Sequence, residues 1–214
     1  VHICNLYNLT TNQQAIRDIA GATSDSLGNL EPSLDVYPDR PAPVVRNTGS
    51  GRELARLTWG MPTPPQFLKA PDAPDSGVTN IRNTASPHWR RWLGVAHRCV
   101  VPATAFSEYG QRPDPVTRRK PLHWFALDQT RPLFFFAGIC TPWRGTRGSA
   151  RTPRTGDHQL FAFLTWIGVL RRLVHGRFEI RVAEPAIAAA RQQHAHARLV
   201  EVGDDRFLVF VEHL

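Results

Sequence analysis

Cysteine and long apolar runs are both scarce in this chain of 214 residues, and each scarcity excludes a class of protein. The three cysteines, Cys4, Cys99 and Cys140, are widely spaced and include no CxxC pair, which argues against a disulfide framework and against a zinc knuckle. No run approaches the roughly 18 apolar residues that a membrane span requires, and the N-terminus lacks a basic segment followed by an apolar signal region. We therefore expect a cytoplasmic protein in a reducing compartment, with no membrane partner.

Negative charge is also in short supply, because 18 Asp and Glu stand against 26 Lys and Arg, almost all of them Arg. The net charge of +8 and the pI near 10.4 indicate a polyanionic partner such as nucleic acid. A GC-rich genome, which raises the arginine content without any binding role, is the alternative explanation. A hydrophobic content of 42% is that of a globular protein, so the 18 prolines and 15 glycines are expected in long loops.

Two short helices are predicted from their terminal signals. Thr11 followed by Gln14 is typical of a capping box, and apolar residues at helical spacing continue to Gly21, so 11–20 is predicted as an amphipathic helix. A second helix, with a serine cap, a first-turn proline and a C-terminal glycine, is predicted over 86–94. Both tryptophans of this second helix are expected to face the core.

Apolar and aromatic runs of strand length dominate the middle of the chain. They are separated by turn-rich, Arg-rich loops and comprise residues 42–47, 53–60, 98–109, 122–128, 132–140 and 160–170. The stretches 28–43 and 60–79 are rich in turn formers and are predicted as long loops, which are usually functional or disordered. Because no regular strand-helix-strand alternation occurs, we predict an α+β fold. It would be a single domain over 1–214 with a curved, barrel-like, mostly antiparallel sheet and short peripheral helices.

Four short segments stand in a distinctive order: CNLY at 4–7, TNIRNT at 79–84, VPATAFSEY at 101–109 and LVHGRF at 173–178. WGMP at 59–62 and FAFLT at 161–165 complete the pattern. The chain resembles the SOS-response-associated peptidase (SRAP) family of abasic-site processing proteins, whose members begin Met-Cys and carry Asn-x-Arg, Val-Pro-Ala…Glu and Ile-His-x-Arg segments. The resemblance is clear over about 3–165 and weak to 180, and residues 181–214 form a divergent tail.

The resemblance implies a chemistry and the residues that perform it. The amine of an N-terminal Cys4 would attack the ring-opened aldehyde of an abasic sugar in single-stranded DNA, and its thiolate would then close a thiazolidine. Asn80 would hydrogen-bond the nucleophile or the substrate, Glu108 would handle protons at the sugar, and His175 would serve as general acid or base. Arg82 would hold a phosphate. The other implied DNA-binding residues are Arg177 and the aromatics Trp59 and Tyr109, which would stack on bases or wedge beside the lesion.

Each assignment has a plainer alternative. Cys4 could be a buried thiol, Asn80 could cap a turn, and Glu108 could simply face solvent at the end of its strand. Trp59 and Tyr109 lie at strand ends, where aromatic residues are as often core packing as base platforms.

Metal and cofactor sites are not predicted. His158 and the pair His194 and His196 lack the further ligands that a zinc site needs. The resemblance implies no cofactor, and we expect a monomer.

Two departures from the family pattern bear on activity. Val1, His2 and Ile3 precede Cys4, so a free amine there requires either a different start or self-cleavage, which would be the peptidase-like activity. After 165 the pattern is lost although His175 persists, and divergence and a shifted reading frame both account for that change. Two other functions therefore remain open: a non-catalytic module that binds single-stranded DNA, and a cysteine hydrolase using Cys4, His175 and Glu108.

Overall fold

A computed structural model describes residues 5–70, 73–110, 112–165, 199–202 and 205–208. The two α-helices are α1 (Gln13–Ala20) and α2 (Pro87–Arg90), and 3-10 turns span Pro65–Phe67 and Val95–His97. The strands are β1 (Tyr7–Leu9), β2 (Ser24–Asp25), β3 (Ser33–Val36), β4 (Pro41–Thr48), β5 (Gly51–Trp59), β6 (Asn80–Ile81), β7 (Arg98–Ala103), β8 (Ala105–Tyr109), β9 (Leu122–Phe125), β10 (Phe134–Ser149), β11 (Thr152–Leu164), β12 (Leu199–Val202) and β13 (Asp205–Leu208).

Five strands close into a barrel in the order β5-β4-β7-β10-β11, because β11 pairs with β5 as well as with β10. The barrel pairs are antiparallel except β11 with β5. The short strands β2 and β6 extend the sheet by parallel pairing with β5 and β11. The predicted α+β fold with a barrel-like, mostly antiparallel sheet and short helices is confirmed.

Side chains at every second position fill the barrel, as the two-residue period of a strand requires. The interior positions include Val44, Leu57 and Val101, all buried, together with an aromatic cluster at one end. A smaller antiparallel sheet, in the order β3-β1-β8-β9, adds Tyr7 and Phe106 to the same cluster. One core therefore joins the barrel to the smaller sheet.

The segment 98–109, predicted as one strand, is two strands that belong to different sheets. Thr104 interrupts it, and both its backbone N–H and its hydroxyl donate to the carbonyl oxygen of Asn8, at 2.8 and 3.3 Å. The chain leaves the barrel as β7 and enters the smaller sheet as β8. Glu108 therefore lies on β8, in the smaller sheet and outside the barrel.

The predicted Arg-rich loop between 140 and 160 is wrong, because β10 and β11 continue as a long hairpin. Their register runs from Gly138 opposite Phe163 to Ser149 opposite Thr152. Glycine, proline and arginine lower the strand propensity of this stretch, but the ladder of hydrogen bonds between two adjacent strands outweighs local preference.

The helices follow the prediction only in part. Asn12, not Thr11, caps α1, because its Oδ1 accepts from the backbone N–H of Ala15 at 2.8 Å. The helix ends at Gly21 in the left-handed conformation with φ of 64°, as predicted.

The second helix is shorter than the predicted 86–94, and the side chain of Ser86 makes no capping hydrogen bond. Trp89 is buried and Trp92 is half-buried beside Met61, so both tryptophans face the core as expected. Within the described residues, no helix is long and apolar enough to cross a membrane.

Candidate functional site

The N-terminal strand connects the two segments that carry Asn80 and Glu108. The carbonyl oxygen of Leu6 accepts from the backbone N–H and the hydroxyl of Ser107, at 3.0 and 3.2 Å. The Oδ1 of Asn5 accepts from the hydroxyl of Thr79 at 3.5 Å. The residues directly after Cys4 therefore lie between these two segments, whereas Cys4, His175 and Arg177 themselves are outside the described residues.

Asn80 lies in a strand, and the alternative that it caps a turn is wrong. It pairs with Phe163 of β11, and its Nδ2 donates to the hydroxyl of Thr79 at 3.0 Å. The turn that follows is closed by Asn83 instead, whose Oδ1 accepts from the backbone N–H of Ala85. Parallel pairing with β11 thus holds the Asn80 backbone in a defined position.

Trp59 is a core residue and not a base platform. Its side chain is fully buried, with the ring of Tyr7 at 5.2 Å and that of Phe163 at 4.8 Å between centroids. Its indole N–H donates at 3.1 Å to the carbonyl oxygen of Thr79, which also accepts from the N–H of Phe163. The predicted DNA contact is contradicted because both faces of the ring are covered, and Trp59 instead supports the residue before Asn80.

Glu108 and Tyr109 are neighbours with opposite environments. Glu108 is only 9% exposed, so the alternative of a solvent-facing carboxylate is wrong. A carboxylate is rarely buried without a partner or a function. Tyr109 is 57% exposed at the end of β8, which leaves its ring available to a ligand.

Thr165 is not among the predicted site residues, but strand pairing places it beside the segment that carries Arg82. Its backbone N–H donates to the carbonyl oxygen of Ile81 at 2.9 Å, which continues the pairing of β11 with β6. The Oγ1 of Thr165 and the Nε of Arg82 are both buried, and neither has a hydrogen-bond partner in the described part of the chain. The sequence signal for Thr165 was its place at the end of FAFLT.

An exposed aromatic residue and a basic loop are two further surface features of the described chain. Phe67, in the long loop before Asn80, is 72% exposed. The loop between β8 and β9 presents the exposed side chains of Arg112, Arg118, Arg119 and Lys120. Its turn is organised by Asp114, whose pKa is lowered because the backbone N–H of Thr117 hydrogen-bonds to the carboxylate.

No group of three or more His, Cys, Asp or Glu side chains is placed to hold a metal ion in the regions that the structure describes. The described polar groups of the site are a buried carboxylate, Glu108, an amide, Asn80, and the guanidinium of Arg82, which is suited to an anionic oxygen.

The model of the SOS response associated peptidase (SRAP) family matches residues 3–165. The chain belongs to the SRAP family. It is 30% identical over 124 residues to the Bacillus subtilis abasic site processing protein YoqW, covering 57% of this chain and 52% of that protein. It is 31% identical over 129 residues to YobE of the same organism, which is also called an abasic site processing protein, covering 57% and 53%. The chain thus spans about half the length of these SRAP relatives.

The SRAP fold is also seen in a solved structure, a phage-related protein of Bordetella bronchiseptica. The two structures agree with a TM-score of 0.53 at 17% sequence identity, over 78% of this chain and 70% of the other. At that identity the likeness supports the fold alone.

Proposed function

We propose that this SRAP protein processes abasic sites in single-stranded DNA by covalent capture through Cys4. The observation that carries the proposal is the position of Asn5 and Leu6 between the segments of Asn80 and Glu108, joined to a family whose relatives are called abasic site processing proteins. A nucleophile at Cys4, the residue before Asn5, would stand beside the amide of Asn80 and the buried carboxylate of Glu108. Nucleophilic catalysis needs such helper groups.

The reaction proceeds in two steps. The α-amine of Cys4 adds to the C1 aldehyde of the ring-opened sugar, and loss of water gives an imine. The Cys4 sulfur then adds to the imine carbon, and the imine nitrogen takes up the proton, which closes a five-membered thiazolidine. Glu108 transfers protons at the sugar oxygen, Asn80 hydrogen-bonds the reacting groups, and His175 acts as the further acid or base.

DNA recognition rests on phosphate contacts and stacking. Arg82 holds a phosphate, and Thr165 lies at the adjacent position of the paired strand as a second possible donor. Tyr109 and Phe67 are exposed aromatic rings on which splayed bases can stack. The arginines of the loop between β8 and β9 add sequence-independent attraction, and Arg177 is a further phosphate contact.

The capture requires self-cleavage or another route that makes Cys4 the first residue. A chain that retains Val1, His2 and Ile3 holds the Cys4 nitrogen as an amide, which cannot form the imine. The second candidate is a module that binds single-stranded DNA without capturing it. Self-cleavage would use Glu108, Asn80 and His175 to activate the thiol and to polarise the amide.

The experiment compares two chains, one beginning at Val1 and one in which a removable methionine directly precedes Cys4. Each is mixed with a single strand whose one uracil has been converted to an abasic site, and the adduct is followed on a denaturing gel, with intact mass reporting the first residue. We expect the second chain to crosslink and Cys4→Ala to abolish the adduct, while Cys4→Ser gives only an imine that borohydride traps. A stable adduct on a chain that still carries Val1 would refute the aminothiol mechanism.

A further inference from the structure

Two thiols, Cys99 and Cys140, lie inside the barrel on neighbouring strands. Cys99 of β7 is directly opposite Gly138 of β10, and Cys140 follows two residues later on the same face of β10. The side chains are only 6% and 5% exposed, and both are free thiols. The two thiols are therefore diagonal neighbours on the inner face of one strand pair.

Gly138 keeps the space between the strands open. A Cβ added to it would lie 3.0 Å from the sulfur of Cys99 and 2.8 Å from the carbonyl oxygen of Ala162. Any larger residue at 138 would push the Cys99 side chain away from its diagonal neighbour. The sequence thus has a glycine between the two thiols, where a larger residue would displace the Cys99 sulfur.

A charged cluster closes this end of the barrel above the thiols. Arg46 of β4 is opposite Cys99, and its Nε lies 2.8 Å from the Oε2 of Glu53 while its Nη1 lies 3.0 Å from the Oε1 of Gln159. The ring of His97, Nδ1 at 2.9 Å, contacts the backbone carbonyl of Cys140 and not its sulfur. Arg46 is the cation whose positive charge acts on Cys140.

The surroundings of the two thiols shift their pKa values in opposite directions. The hydrogen bond from Cys99 lowers the pKa of Cys140, burial opposes that effect, and the positive charge of Arg46 adds to the lowering. Burial raises the pKa of Cys99 well above the usual range. Cys140 is therefore the more acidic of the two thiols, which favours attack by the Cys140 sulfur first and resolution by Cys99.

We propose that Cys99 and Cys140 form a reversible redox site, at which a hydroperoxide oxidises Cys140 and Cys99 then closes an intrachain disulfide. The Cys140 thiolate attacks a peroxide oxygen and the O–O bond breaks, which leaves a sulfenic acid on Cys140. With hydrogen peroxide, the departing hydroxide takes up a proton and leaves as water.

The sulfur of Cys99 then attacks the sulfur of Cys140 and the S–O bond breaks. The hydroxyl leaves as a second water with the Cys99 proton. Two thiols have lost two electrons, and one hydrogen peroxide has been reduced to two waters. The site uses neither Cys4 nor DNA, so it is independent of the proposed function.

Closure asks for an adjustment of the strand pair. The sulfurs must approach to about 2.05 Å, and diagonal neighbours are farther apart than directly opposite residues. We therefore expect a strained disulfide, which is readily reduced. Only a small oxidant can reach side chains of such low exposure, so hydrogen peroxide should outpace bulky reagents such as an aromatic disulfide.

The test uses the full chain with Cys4→Ala, which removes the third thiol. After treatment with hydrogen peroxide, intact mass should fall by about 2 Da, the mass of two hydrogen atoms, and peptide mapping should join the peptides of Cys99 and Cys140 until dithiothreitol separates them. With Cys99→Ser added, dimedone applied under denaturing conditions after the peroxide should label Cys140; with Cys140→Ser added, Cys99 should stay unlabelled. Retention of both alkylatable thiols after peroxide would overturn the proposal, and dimedone labelling of Cys99 alone would overturn the order of attack.

The variant Arg46→Gln tests whether Arg46 acts on Cys140 through its charge, because a purely structural role of Arg46 would not change the pH dependence of Cys140 oxidation. Removing the cation should raise the pH midpoint of Cys140 oxidation and slow the reaction several-fold at neutral pH. Arg56→Gln, an exposed arginine on the neighbouring strand β5, is the matched control and should leave the rate unchanged. Thermal melts of both variants verify folding before rates are compared. Equal oxidation rates in folded Arg46→Gln and Arg56→Gln would refute the role of Arg46.

Discussion

The ion pair between Asp39 and Arg147 ties the turn before β4 to the long hairpin, and Asp39→Asn tests what it contributes. Arg147 is fully buried, and its Nη2 lies 3.1 Å from the Oδ1 of Asp39. Its Nε and Nη1 have no hydrogen-bond partner within the described residues. Asp39 has a left-handed backbone with φ of 61°, which asparagine adopts readily, so this change removes charge without adding backbone strain.

The expected cost follows from burial. Removing one partner of a buried ion pair costs about 3–5 kcal/mol because the remaining charge is left without compensation. The Asp39 side chain is still 24% exposed, and water can partly replace it, so we expect a loss of about 2–3 kcal/mol in the free energy of unfolding. For a chain of this length, that corresponds to a fall in Tm of roughly 5–10 °C.

The assay is urea unfolding followed by tryptophan fluorescence, with the slope m checked for constancy. Arg154→Gln is the matched control, because Arg154 pairs with the same carboxylate at 2.6 Å but is 51% exposed. An exposed pair should contribute less than about 1 kcal/mol. Adding Arg147→Met to Asp39→Asn should recover part of the loss, since no buried charge remains. The reasoning fails if Arg154→Gln costs as much as Asp39→Asn, or if the double variant is less stable than Asp39→Asn alone.

Three further predictions concern packing and DNA binding. Gly77→Ala should destabilise the protein by at least about 1 kcal/mol more than Gly28→Ala in urea unfolding, because the two glycines share φ near +79° while only at 77 would the Cβ collide with the guanidinium of Arg147; equal losses would refute the crowding. Arg82→Ala should weaken binding to all single strands alike and reduce the salt dependence by about one phosphate contact; a changed sequence preference would contradict this. Tyr109→Ala should weaken single-strand binding by about 1–3 kcal/mol in a fluorescence titration while Tyr109→Phe does not, and equal effects would exclude stacking.

Local sequence signals located several elements of this fold but not their limits. Gly21 ends α1 because glycine tolerates the left-handed conformation that the helix terminus needs. The cap was placed one residue early, since Thr11 and Asn12 are both good caps and only the backbone geometry selects Asn12. The alternating apolar residues predicted β4 and β5 within a few residues of their observed bounds.

The candidate site was predictable as a set of residues but not as an arrangement. The motif pattern nominated Asn80 and Glu108, and it nominated Trp59 with them although that ring belongs to the core. Whether an aromatic at a strand end faces solvent or the interior depends on what packs against it, and Tyr7 is far away in sequence. For the same reason, the low exposure of Glu108 and the neighbouring polar atoms of Arg82 and Thr165 emerged only from the pairing of distant strands.

Sequence alone determined the class of fold, the family and the residue types available for chemistry, because these depend on periodicity, turn residues and short motifs. Tertiary structure decided that the glycine- and arginine-rich stretch after Cys140 is a hairpin, that the 98–109 run changes sheets at Thr104, and that Cys99 and Cys140 are diagonal neighbours inside the barrel. Each of these depends on strand register, which is set by contacts between residues far apart in the chain. Local propensity carries no information about such contacts, so only the closed barrel fixes them.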